Sequence, residues 1–553
     1  MTCREILTLQ FGHYANFVGA HWWNSQELSF EYNANKPSTI NHDILFREGL
    51  TPNGEVTFTP RLLLSDLKGS LKSLPKYGNL YGEASPEEAD PLWFKPAEVE
   101  ADPEIPKNEF QQAIESTSEG APQVIDTRTA ENLQVDVWSD ILYTRYHPRT
   151  VNIVNDYEHG NLDNDFVAFP MGCKIWKTVD YEDEFADKIR MYIEECDHFQ
   201  GFQILLDSTN AFAGLGTACM EHLYDEYFSK KMFAIPLIPG THPDYKYSTD
   251  EEEAKSQYKD TLRALNLAFT YQKVNEEAAI FNPLCTAQKG FRQPGEKINF
   301  NNVEYDIESQ YHTSAILASA IDTYTLKYRM KDSRYGISDL ASALTAHGRK
   351  GVAASLCLPF ALNEDQELID CLDNWDGPLS HCITPRTRIG TKRMTQLVTL
   401  RGVPESRLKK PIAQAGKQKD LPAYKCKNIQ EMLSMYYSYT CDDSITNITS
   451  VEKGFCVKTP FPQLFSSKIG VQGNVMFDPR IQNVGVESVP VLAGLHNGIE
   501  FGEMLESLYK HTKRIRIDKF HQYPSNGYGR DEFDECMEQI ITLRECYEDN
   551  YLI

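Results

Sequence analysis

The N-terminal segment constrains this chain more than any other. Arg4 to Phe11 is an apolar run of strand length, and it leads at once into Gly12-His13-Tyr14-Ala15-Asn16, then Phe17-Val18-Gly19-Ala20 and Trp22-Trp23. Strand, tight turn and helix in immediate succession open an α/β fold. Two later strands, Arg61 to Ser65 and Gly201 to Leu206, are expected to end at Asp66 and Asp207. Carboxylates at strand ends suit a sheet whose ligands lie beyond the carboxyl ends of its strands, while turn-forming aspartates are an equal alternative.

At 553 residues the chain is long enough for two or three packed units. Apolar residues make up 41% of it, with 29 Tyr, 27 Phe and 6 Trp spread throughout, which supplies cores and argues against disorder. The formal charge of −24 excludes general nucleic-acid binding, because affinity for a phosphate backbone is carried by Lys and Arg. Thirteen cysteines without C-x-x-C spacing fit neither a disulfide framework nor a zinc site, so reduced thiols in the cytoplasm are expected. The first residues lack a signal layout, and the longest apolar run, 351–362, is shorter than the ~20 residues that span a bilayer. Any membrane contact is therefore expected to be peripheral.

Composition divides the chain further. An acidic, Pro-rich insertion is expected at 75–129, after an N-terminal segment at 1–74. The rest of the first domain is expected at 130–330, an intermediate domain at 331–490 and C-terminal helices at 491–553. The acidic tract Thr249 to Asp260 reads as solvated surface. His312 to Tyr328 has the all-round apolar pattern of a buried, central helix. Between Arg386 and Lys419 stand ten Lys and Arg against one acid, Glu405. That contrast points to a surface for an acidic partner or anionic lipid, with Arg407, Lys409 and Lys410 as its candidates, or to an ordinary solvated loop.

The opening Arg4-Glu5-Ile6-Leu7-Thr8-Leu9-Gln10-Phe11-Gly12, with Asn16, Gly19 and Trp23 at fixed offsets, resembles the first strand and helix of tubulin. Pro60 to Leu67, Cys196 to Phe202 and Ser338-Asp339-Leu340 keep the tubulin order. Val18 to Asn24, Asp66 to Leu71, Val137-Trp138-Ser139-Asp140, Glu194 to Asp197 and Ser314 to Ala318 more closely resemble the Misato family. The resemblance implies a parallel nucleotide-binding-type sheet flanked by helices, a central helix, an intermediate α+β domain and C-terminal helices. It also implies roles in mitochondrial distribution and morphology and in spindle assembly. Tubulin and the cytosolic chaperonin are the implied partners, in the cytoplasm and at the mitochondrial outer membrane.

Against the tubulin pattern the catalytic positions are altered. The glycine-rich phosphate loop falls at Asn210 to Gly216, where only Gly214 and Gly216 remain and Phe212 replaces a glycine. Lys68 stands where an acid would serve magnesium, and His13 and Tyr14 follow Gly12 where small and amide side chains would touch phosphate. Gly12, His13, Asp66, Lys68, Gly214 and Gly216 are therefore expected to form a vestigial phosphate site, with no bound metal. His312 falls near the residue that reads guanine, and packing or capping is its expected role. Ser342 occupies the position of the acid that orients the attacking water, and a hydroxyl carries no charge with which to polarise it. A non-enzymatic pseudo-GTPase without GTP follows, with a divergent GTPase as the alternative.

Overall fold

The computed structural model describes residues 4–30, 38–51, 54–74, 105–108, 110–112, 135–161, 165–288, 295–412, 414–442, 444–481 and 484–548. Most of the insertion expected at 75–129 lies outside the described residues.

Strand β1 (Ile6–Phe11) is buried along its whole length, as a central strand covered on both faces by helices must be. It passes through Gly12 into helix α1 (His13–Glu27). A hairpin of β2 (Phe46–Leu50) and β3 (Val56–Pro60) stands apart from the main sheet. The main sheet adds β4 (Leu62–Lys68), β5 (Val151–Glu158), β6 (Gly201–Asp207), β7 (Lys231–Leu237) and the short β8 (Ile280–Phe281). All six strands are parallel, in the order β5-β4-β1-β6-β7-β8. Successive side chains alternate between two cores: Ile6, Leu62 and Leu64 enter one, and Leu7, Leu9, Phe11 and Leu63 the other. Asp66, expected at a strand end, lies within β4, which continues to Lys68.

Helices α2 (Phe169–Trp176), α3 (Ala186–Glu194), α4 (Phe212–Glu226) and α5 (Asp250–Glu277) follow. The acidic tract from Thr249 is the start of α5. The Thr249 hydroxyl accepts the Glu252 amide at 3.3 Å, and acids in this first turn face the positive end of the helix dipole. The central helix α6 (Gln310–Tyr324) is buried at every position from Thr313 to Tyr324, because it is wedged between α1 and a second sheet. Helix α7 (Ile337–Leu344) leads into that sheet.

The second sheet contains β9 (Ala353–Cys357), β10 (His381–Cys382), β11 (Arg393–Arg401) and β12 (Ile445–Val451). A two-stranded ribbon of β13 (Phe455–Cys456) and β14 (Ser488–Val489) precedes β15 (Val491–Gly498). Its order, β10-β9-β15-β11-β12, corrects the boundary expected at 490. β15 pairs antiparallel with both β9 and β11, so its ladder places it at the centre of the intermediate domain. Helix α8 (Ile429–Thr440) packs against β12, while α9 (Glu500–Thr512) and α10 (Arg530–Glu545) pack on α5. Phe533, Met537, Ile540 and Leu543 are the buried stripe of α10.

A buried charge cluster joins the two sheets. Asp322 of α6 receives Arg329 at 2.7 Å and Trp22 Nε1 of α1 at 3.0 Å, and it also pairs with Arg401 of β11. Both guanidinium groups are buried, and Arg401 also donates to the carbonyls of Lys453 and Gly454. The cluster fixes the central helix against the intermediate sheet.

Candidate functional site

The expected phosphate site lies where β1, β4 and β6 reach their carboxyl ends. Helix α1 begins there with Gly12 as its N-cap, at φ 110° and without a side-chain cap of its own. Its first amides are taken by Asp207. Ala15 N donates to Oδ1 at 2.8 Å, Tyr14 N to Oδ2 at 3.2 Å, and Asn210 Nδ2 to Oδ2 at 3.2 Å. The register that sets Phe11 beside Leu206 brings Asp207 alongside Gly12. A Cβ on Gly12 would lie 2.5 Å from the Asp207 carboxyl carbon, so glycine is required both by φ and by this contact.

Asp66 sits beside it, fully buried. Its Oδ2 accepts Trp138 Nε1 at 2.7 Å, Asn16 Nδ2 at 3.1 Å and His13 Nδ1 at 3.2 Å, and its Oδ1 accepts Leu67 N at 2.8 Å. Three donors converge on Oδ2 and one on Oδ1, so both oxygens of the carboxylate are engaged within the protein. Burial opposes the ionisation of Asp66, but His13, through charge and hydrogen bond, and Asn16 hold its carboxyl below the usual range. Burial likewise works against His13, and Asp66 overcomes it, raising the imidazole above its ordinary value, with Asp207 adding to the effect. His159 stacks on His13 at 3.9 Å, and burial together with the His13 charge pushes it down to about 4. His159 thus covers the imidazole that bonds Asp66. Asp207 goes the other way: burial pushes its carboxyl up to about 7 against the pull of its amide donors.

Gly214 and Gly216 lie inside α4, and their packing accounts for both. A Cβ on Gly214 would approach Phe169 O to 1.9 Å, and one on the facing Gly172 of α2 would approach Ala211 O to 1.8 Å. The pair lets two helices touch backbone to backbone. Gly216 faces Phe11 and Leu206. Phe212 is buried, its ring edge-on to Phe166 at 5.1 Å. Lys68 is exposed at the end of β4.

The space beyond α1 is also filled. Tyr14 joins Tyr305 and Tyr311 in the core at the start of α6. Phe110, from the expected insertion, enters this core, buried and 6.1 Å from the Tyr311 ring. Gln111 Nε2 ties it to Ser139 O at 3.0 Å. His312 holds the loop before α6, its Nδ1 accepting Asp306 N at 3.2 Å, while Ser309 caps the helix.

Family descriptions match in two blocks: "Misato Segment II tubulin-like domain" over residues 4–116 and "Tubulin domain" over residues 127–330. Protein misato of Drosophila melanogaster is 36% identical, with 99% of each chain covered. The chain belongs to the Misato family. Protein misato homolog 1 of Homo sapiens is 31% identical over 99% of this chain and 98% of its own. Protein dml-1 of Neurospora crassa is 32% identical over 66% of this chain and 64% of its own.

In this Misato-family chain the other sequence candidates lie well away from Asp66. Ser342 is exposed on α7, and its hydroxyl donates to Ser338 O at 2.8 Å, one helical turn back. Asp339 accepts Gly336 N at 2.7 Å and so closes the start of α7. Two cations of the basic stretch are held by carbonyls outside it. Arg407 donates to the carbonyls of Asn363, Glu364 and Gln366, and Lys409 to those of Tyr424 and Cys426. Lys410 faces Asp370 at 3.5 Å with its side chain 37% exposed.

Three functional groups escape the sequence candidates. Asp207 is legible only as a strand-end carboxylate, and Trp138 only through the Val137-Trp138-Ser139-Asp140 likeness. His159 carries no local signal, because its role comes from stacking on a residue far away in the chain.

Proposed function

We propose that this Misato-family chain is a non-enzymatic, tubulin-like protein, a pseudo-GTPase that serves mitochondrial distribution and morphology, spindle microtubule assembly and chromosome segregation. It works through protein contacts, with tubulin and the cytosolic chaperonin as partners. It resides in the cytoplasm and at the mitochondrial outer membrane. The observation that supports the reading most is the engagement of Asp66 by Trp138, Asn16, His13 and Leu67, three of them on Oδ2, since a magnesium nucleotide would have to compete with these donors for the carboxylate. The alternative, a divergent GTPase holding phosphate with Asp66, Lys68, Gly214 and Gly216, requires rearranging those bonds and separating α2 from α4 at Gly214.

Peripheral attachment is in keeping with the described helices, none of which is long and apolar enough to cross a membrane. Among the three basic candidates, Lys410 is the best placed to meet an anionic surface, because Arg407 and Lys409 are engaged with carbonyls.

Guanine-nucleotide retention on purified protein tests the reading. The expected result is no retained nucleotide and no magnesium-dependent phosphate release. Micromolar GTP binding with turnover would overturn it. Affinity capture from cytosol, probed for tubulin and chaperonin subunits, tests the partners, and recovery of neither would remove them.

A further inference from the structure

We infer that Asp207 is a built-in surrogate for a bound anion: its carboxyl group occupies the phosphate-type cradle at the start of α1, and shortening it turns that cradle into a binding site for inorganic phosphate.

The geometry carries the inference. Two successive amides of the first turn of α1 donate to the two oxygens of one carboxyl group, Ala15 N to Oδ1 at 2.8 Å and Tyr14 N to Oδ2 at 3.2 Å. Free amides at a helix N-terminus are where a phosphate oxygen binds, since they point along the axis and carry the positive end of the dipole. Asn210 Nδ2 supplies a third donor at 3.2 Å. The raised His13 imidazole contributes positive charge from the other side, held by Asp66 and felt by Asp207. The carboxyl group is enclosed, with Asp207 only 2% exposed, and Gly12 leaves room for it by lacking a Cβ.

Asp207 comes from β6, not from α1. A capping carboxylate usually belongs to the residue just before its helix and is contributed locally. Here the cap crosses from a neighbouring strand, the direction from which a bound ligand would approach. Removing it leaves two helix amides and an amide side chain around a gap, a donor set suited to a tetrahedral oxyanion. The inference rests on the proposed absence of nucleotide from the native protein, but its experiment reads a different variable.

That experiment is thermal unfolding of the full chain and its Asp207→Ala variant in phosphate and in chloride at equal ionic strength. In chloride, D207A is expected to melt below the native protein. Its midpoint should rise by at least about 2 °C in ~10 mM phosphate, while the native protein and Asp207→Asn, whose cradle stays filled, do not respond. A D207A midpoint indifferent to phosphate overturns the inference, and so does an equal response in all three proteins. Should D207A fail to fold, Asp207→Ser provides the second variant: its shorter side chain leaves part of the gap open, so the same phosphate response is expected, and its absence counts against the inference. Native protein melted with magnesium and GTP forms a separate arm. Stabilisation there defeats the pseudo-GTPase reading, whereas a silent D207A beside an unresponsive native protein defeats only the built-in anion.

Discussion

Ala15 N donates to Asp207 Oδ1 at 2.8 Å, so the first helix of the fold is capped by a strand that follows it by almost two hundred residues. This bond links the opening of the chain to β6, the strand beside β1 in the sheet. It also makes stability depend on pH. Burial raises Asp207 to about 7 in the folded chain, against about 4 for an unfolded aspartate. The unfolded chain therefore loses its proton first, and the contribution of this group falls as pH rises from about 4 to 7. His13 acts in the same direction: its folded value is raised, so its stabilisation is complete below the ordinary histidine value and is lost as pH rises through the raised one. Asp66 acts oppositely, and its contribution is lost only as pH falls below the carboxylate range. Buried histidines held down, His159, His21 and His42 among them, gain stability over the same range, so the check is a difference. The denaturation midpoint of the native chain, taken relative to Asp207→Asn, should fall between pH 5.5 and pH 8, and a pH-independent difference between the two would remove this role of Asp207.

Trp138 closes the site and is fully buried. Trp138→Phe removes only the indole donor to Asp66 and should cost about 1–3 kcal/mol. Trp138→Ala also empties the space and should cost about 3–5 kcal/mol. Equilibrium unfolding distinguishes the two, and equal losses would mean that the hydrogen bond contributes nothing.

Gly214→Ala separates packing from phosphate binding. The added methyl would meet Phe169 O at 1.9 Å, so α2 and α4 must move apart. A destabilisation of about 1–3 kcal/mol is expected without any nucleotide present. A variant as stable as the parent would return Gly214 to a role in ligand binding.

Asp322 holds two buried arginines. Asp322→Asn leaves Arg329 and Arg401 without their counter-charge, and a loss of about 3–5 kcal/mol is expected. The readout is the unfolding midpoint. A neutral substitution there would show that the arginines are satisfied by the carbonyls of Lys453 and Gly454 and by Gln26.

Charge reversal in the basic stretch should divide by contact. Lys410→Glu is expected to weaken sedimentation with anionic liposomes while leaving the melting temperature nearly unchanged. Arg407→Glu and Lys409→Glu, whose parents bind internal carbonyls, should lower the melting temperature. Liposome binding unaffected by Lys410→Glu would make that stretch an ordinary loop.

Local pattern was sufficient for much of the fold. A strand running through Gly12 into an aromatic-rich helix, a helix apolar on every side and an amphipathic final helix are written in residues near one another, and Ile6–Phe11, Gln310–Tyr324 and Arg530–Glu545 appear where periodicity puts them. The loss of catalytic residue types at Lys68, Phe212 and Ser342 was equally legible, because it needs only a position and a side chain. What the sequence by itself determined is therefore the scaffold and the residue types at those three positions. Only the tertiary structure decided which groups meet: Asp207 on the amides of α1, Trp138 on Asp66, His159 on His13, and β15 between β9 and β11. Each of these joins groups far apart in the chain, and such contacts follow from sheet register and burial, quantities that no local spacing of residues encodes.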